Sequence, residues 1–210
     1  MIGRLKYASL AVMTVAAAVS TLDMIRGRRV EAVRAVFASP SRMGRDQLLA
    51  NWERHRGNEQ TTLATATPPE ALALAALWID QAAASPPPLQ KRALAYADTL
   101  LAEVQHDRPQ APGTSLLKVR TDLVRYGQPG RSTVAAFARS YDQAGFLRDE
   151  GMWRLAFAAI YWRALPDRTR TAAVNEAVWL ARVDGRQRIA VEQLVAGTPL
   201  ALPVAFRLIS

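Results

Sequence analysis

The chain has 210 residues, contains no cysteine, and carries 27 basic against 18 acidic side chains, for a formal charge of +9. The missing cysteines exclude disulfides, thiolate nucleophiles and cysteine metal sites. Alanine dominates, and 24 of the 27 basic residues are arginine. Both are good helix formers, and their excess reads as the coding bias of a GC-rich bacterial genome.

The charge is unevenly placed. Residues 1–34 hold six basic and two acidic side chains, and the remainder holds 21 and 16. In the remainder the signs are interspersed, as on a solvated surface, which disfavours nucleic-acid binding.

At the amino end, Arg4 and Lys6 precede an uncharged run from Tyr7 to Leu22 that stops at Asp23. A basic start followed by an apolar run describes a secretory signal or a signal anchor. The run is shorter than the roughly 20 residues that span a bilayer comfortably. Ala16-Ala17-Ala18 supplies small residues suited to cleavage, whereas Val30, Val33, Val36 and Phe37 continue a helical spacing, as an uncleaved stalk would. Retained anchor and cleaved signal both stand, beside the plainer reading of a core helix with a basic end. Arg26, Arg28, Arg29 and Arg34 balance the basic residues on the other flank, so charge leaves the membrane orientation open. Three segments follow: a signal or anchor with its stalk over 1–37, a short helix and polar linker over 38–66, and a helical-hairpin domain over 67–210.

From Thr67 onward the breakers cut the chain cleanly. Thr67-Pro68-Pro69-Glu70 is a capping box with proline in the first turn, where its missing N–H costs nothing. Ser85-Pro86-Pro87-Pro88 ends that helix and begins the next, whose stripe is Leu89, Ala93, Tyr96, Ala97, Leu100, Leu101 and Val104. A helix from Thr114 to Tyr126 places Lys118, Asp122 and Arg125 on its wet face and ends at Gly127-Gln128-Pro129-Gly130. Val134, Phe137, Ala138 and Tyr141 mark a short helix that ends at Gly145. Asp149 is expected to cap a helix through Trp162 that is apolar nearly all round, Ile160 included, and therefore central. Pro166-Asp167 starts a helix that reaches Trp179-Leu180, and a last helix runs from Arg186 to Val195. The apolar tail from Leu200 to Leu208 reads as a strand-like or irregular cover. The expected fold is thus all-α, with stacked antiparallel helical hairpins behind an N-terminal hydrophobic helix.

No nucleophile elbow, phosphate loop or dinucleotide fingerprint occurs. His55 and His106 are the only histidines and neither has a second ligand at i+3 or i+4, so no metal site and no cofactor are expected. Glu103 with Asp107 at i, i+4, and Asp149 with Glu150, are better explained as surface and helix-terminal charge than as acid–base pairs. The richest constellation is Trp153, Arg154, Trp162, Arg163, Glu176 and Trp179. Arg154, Arg163 and Glu176 lie in apolar helices, and a buried charge needs a partner. One reading is therefore a bridge from Arg154 or Arg163 to Glu176 that ties two helices. The other is an aromatic, arginine-lined groove for a partner.

Ala97, Leu101, Val104 and Pro109 match the second half of a tetratricopeptide repeat. The stretch from Gly151-Met152-Trp153-Arg154 through Tyr161-Trp162-Arg163-Ala164-Leu165, with Arg170, Glu176-Ala177-Val178-Trp179-Leu180 and Arg182, resembles uncharacterised envelope proteins of alphaproteobacteria. Those in turn resemble tetratricopeptide-like proteins with an N-terminal anchor. The resemblance covers about the C-terminal third and implies a non-catalytic scaffold, single-pass in the inner membrane through residues 7–22 or exported after cleavage. Its helical body would be periplasmic, with protein partners in surface-polysaccharide assembly. A cytoplasm-facing binder of nucleic acid or acidic partners, and a glycan-acting enzyme, remain as rivals. Oligomeric state is left open by the sequence.

Overall fold

The computed structural model describes residues 67–183 and 185–209. The expected anchor, stalk and linker over 1–66, with His55, lie outside these residues. Those described form helices and turns, with no strand among them, so the all-α expectation holds. The chain divides into two compact units between Asp107 and Arg108, inside the 67–210 segment read as one domain.

In the first unit, α1 (Pro68–Ala83) packs on α2 (Pro87–Asp107). The N–H and hydroxyl of Thr67 both donate to Glu70 Oε2, at 2.8 and 2.9 Å, so the start read from the sequence is built as expected. Ala75, Ile79 and Ala82 on α1, and Ala97, Leu100 and Val104 on α2, are buried. Small alanines let the two backbones approach, and Trp78 stacks on Tyr96 with ring centroids 5.1 Å apart. Leu89, expected on the apolar stripe, is exposed because the stripe begins one turn later at Ala93.

The second unit contains α3 (Pro112–Tyr126), α4 (Arg131–Gln143), α5 (Gly151–Tyr161), a 3-10 turn (Trp162–Ala164), α6 (Asp167–Val183), α7 (Gly185–Val195) and α8 (Ala201–Ile209). Gly127 closes α3 with φ +74° and donates its N–H to Leu123 O at 2.8 Å, a left-handed cap that favours glycine. Asp122, expected on a wet face, is buried instead. It accepts a 2.8 Å hydrogen bond from the Thr133 hydroxyl, and the Thr133 hydroxyl oxygen in turn accepts from the Gly130 N–H at the start of α4. A polar residue inside an apolar period is the signature of such a tie between helices.

The centre belongs to α6 rather than α5. Helices α4, α5, α7 and α8 all pack on α6, and Ala173, Ala177, Leu180 and Ala181 give it a narrow, buried flank. Helix α5 stops at Tyr161 and tightens into the 3-10 turn. Ile160 is left 72% exposed, so α5, though apolar nearly all round, is not buried on every side. Its N-cap position is Glu150 rather than Asp149. The tail expected to be irregular is helix α8. Leu200 and Val204 are buried against the core, while Leu202 and Ile209 face outward. Buried and exposed apolar residues there follow a helical period, with Arg207 on the polar side.

Candidate functional site

Arginine 154 rises from the first turn of α5 and Glu176 from the middle of α6; each side chain is 0% exposed. Arg154 Nε donates to Glu176 Oε2 at 2.9 Å, and Nη2 donates to Oε1. The pairing is therefore a two-pronged fork, the geometry that arginine offers and lysine does not. The remaining guanidinium hydrogens go to backbone carbonyls: Nη1 to Ser140 O and Ala144 O, at 3.2 and 2.9 Å, and Nη2 to Gly145 O at 3.1 Å. Every donor of the guanidinium has an acceptor.

Glu176 is equally engaged. Oε2 also accepts from the Tyr141 hydroxyl at 2.9 Å, and Oε1 from the Leu147 N–H at 2.9 Å. The Arg154 guanidinium lies over the Tyr141 ring, 3.9 Å from its centroid, so the ring adds a cation–π contact. Gly151 makes room. A Cβ there would stand 2.9 Å from Leu180 Cδ1 and 3.4 Å from Glu176 Oε1.

The electrostatics follow from burial. Loss of water pushes the Glu176 carboxyl above the usual carboxylate range, against the pull of Arg154, the Leu147 N–H and Tyr141. Burial, then the charge of Glu176, hold the Tyr141 phenol well above its ordinary value of 10.0, with Arg154 opposing. The cluster joins α4, α5, α6 and the α4–α5 loop. It is sealed from solvent, and its acceptors and donors are matched internally.

The six residues singled out in the sequence therefore separate. Arg154 and Glu176 form the buried bridge, and neither has surface to lend to a groove. Arg163 is exposed in the 3-10 turn, and its carbonyl accepts from Arg170 at 3.2 Å. The half-buried Trp162 lies under the same Arg170, 5.7 Å from the guanidinium, and its carbonyl accepts from Arg170 Nε at 3.0 Å. Trp153 stacks along Phe157 at 5.8 Å, and Trp179 sits against Phe146 at 5.3 Å. Sequence reading missed Tyr141, Leu147 and Gly151 as members of the cluster. Tyr141 had a usable signal, since a phenol on a core face needs a hydrogen-bond partner. His106, Glu103 and Asp107 are exposed near the end of α2. Among the described residues no group of three or more histidines or carboxylates could hold a metal ion, and no helix is long and apolar enough to cross a membrane.

Fold and site together define, among the described residues, an all-α protein whose most perturbed ionisable groups, Tyr141 and Glu176, hold helices to one another. Compared with known proteins, the chain matches no family model, no curated protein and no solved structure.

Proposed function

We propose that the chain is a non-catalytic helical interaction module, a degenerate tetratricopeptide-like scaffold held at the bacterial cell envelope by its N-terminal segment and serving surface-polymer assembly. The observation that carries this reading is the pairing of helices that are neighbours in sequence. Helix α1 packs on α2, α3 on α4, α5 on α6 and α6 on α7, through short connections. Helical-hairpin scaffolds use such units to offer side chains from several helices to a protein partner. The sealed cluster supports the same reading. Strongly shifted groups mark chemistry when a ligand can reach them, and Tyr141, Arg154 and Glu176 act on each other instead.

Two measurements test it. Alkaline phosphatase fused after Ser210 is expected to be active, because that enzyme works only after export. A photo-crosslinking amino acid at exposed Ile160 or Phe146 is expected to give an adduct of one discrete mass in living cells. Exported, stable protein without a discrete adduct at either position would overturn the interaction reading. An inactive but stable fusion would overturn the envelope reading and bring forward the basic, cytoplasm-facing binder, whose mark is steeply salt-dependent binding.

A further inference from the structure

The loop between α4 and α5, residues 144–150, has one side on the Arg154–Glu176 pair and the other in water. Arg154 donates to the carbonyls of Ala144 and Gly145, at 2.9 and 3.1 Å, and Glu176 Oε1 accepts from the Leu147 N–H at 2.9 Å. Yet Gly145, Phe146 and residues 148–150 are exposed, while the side chains of the pair have no exposed surface at all. A single thickness of chain thus separates a fully buried ion pair from solvent.

Little else fastens this stretch. Its ends are set by helix bonds, the Ala144 N–H on Ser140 O at 3.0 Å and the Arg154 N–H on Glu150 O at 2.9 Å. Between them, no backbone N–H of residues 145–150 donates to a backbone carbonyl among the described residues. Its apolar anchors are few: Leu147 is half-buried against the core, and Phe146, 49% exposed, leans on Trp179. Few buried apolar contacts and an exposed backbone mark a segment that opens before the rest of its fold. By contrast, Leu155 and Ala158 on α5, and Ala177 and Leu180 on α6, are wholly buried.

We infer that residues 144–150 are a lid over the Arg154–Glu176 pair, and that this lid opens as one piece while α5 and α6 stay folded and joined. Opening breaks the bonds to Ala144 O, Gly145 O and the Leu147 N–H, and water takes each polar atom that is freed. It also returns water to two charges whose removal from water costs several kcal/mol each, so part of that cost is recovered in the open state. An apolar plug in the same place would recover nothing. The fork itself survives opening, because both of its bonds run between α5 and α6. The pair is therefore both the fastening of the loop and the reason the loop opens at low cost. The inference concerns the interior of the second unit and draws on neither the envelope nor the partner reading.

The Leu147 amide reports the lid, because it exchanges only when its bond to Glu176 breaks. Hydrogen exchange of the full chain, resolved to single residues by fragmentation in the mass spectrometer, is followed in low, rising concentrations of urea. Leu147, corrected for its intrinsic rate, is expected to exchange at least about tenfold faster than Ala177 and Leu180, and with a weaker urea dependence, since a small opening exposes little surface. Arg154→Lys keeps the charge but loses the fork that also reaches both carbonyls, so it should speed Leu147 at least about tenfold more than it speeds α6. Leu147→Ala keeps the N–H and trims the half-buried anchor, and should act in the same direction; it carries the test if Arg154→Lys does not fold. Equal urea dependence at Leu147 and in α6 would overturn the inference, for the loop would then open only when the second unit unfolds. So would an equal rise at Leu147 and in α6 in the variants, which would make the pair a brace for the helices and no fastening for the loop.

Discussion

Arginine 154 and Glu176 show how a charge can be retained inside an alanine-rich core. Taking either from water costs several kcal/mol, and the pair is tolerated only when geometry and further hydrogen bonds compensate. Arg154→Met leaves a lone buried carboxylate, and the expected loss is about 3–5 kcal/mol in urea unfolding. Adding Glu176→Leu to it should recover only part, since Ala144 O, Gly145 O and the Leu147 N–H stay without their partners. Gly151→Ala sets two effects against each other. Alanine gains up to about 1 kcal/mol in helix propensity, but its Cβ meets the buried Leu180 at 2.9 Å, and such overpacking costs about 1–3 kcal/mol. Net destabilisation is expected. Tyr141 adds a pH term. Its folded phenol is held above the ordinary value of 10.0, so above that pH the unfolded chain releases a proton that the folded chain keeps. Its contribution is fully present below pH 10.0 and declines as pH rises beyond it, by about 1.4 kcal/mol per pH unit. Comparing the stability of Tyr141→Phe with that of wild type from neutral to alkaline pH isolates this slope. The chemical types of these residues were legible: an arginine and a glutamate amid apolar neighbours had to pair. Choosing Arg154 over Arg163 was not. That choice depends on α5 ending at Tyr161 and turning 3-10, which carries Arg163 out to solvent.

At the scale of elements, starts and stops were the most readable feature. Thr67 and Glu70, Gly127, and the prolines that open α1, α2 and α3 act through their own backbone chemistry, which no tertiary contact needs to supply. Thr67→Ala is therefore expected to cost α1 about 1 kcal/mol, measurable as faster amide exchange in its first turn with little change in α2. Helix α8 was misread for a physical reason. Its buried and exposed apolar residues share one broad apolar surface broken by Arg207, and the sequence does not show which part of that surface docks. Only the docking of Leu200 and Val204 distinguishes them. Because Leu202 makes no part of that core, Leu202→Glu should change stability in urea unfolding by no more than about 0.5 kcal/mol.

On the scale of the molecule, the chain divides after Asp107 into two compact units. The Arg154 cluster lies wholly within the second unit. Arg154→Met is thus expected to raise amide exchange across α3 to α8 and leave α1 and α2 near their wild-type protection, as hydrogen exchange read by mass spectrometry would show. Exchange rising equally in both units would mean that they unfold as one.

What the sequence determined by itself was the class of structure and its punctuation. Helix-forming alanine and arginine, regular breakers and a 3.6-residue apolar period admit an all-α chain, and caps act within a few residues of where they are written. The tertiary structure decided which polar groups are buried. Asp122 turned inward to Thr133, Arg154 found Glu176 across 22 residues, and Tyr141 found it across 35. Burial and partnership depend on residues distant in the chain arriving together, and local propensity holds no record of that arrival.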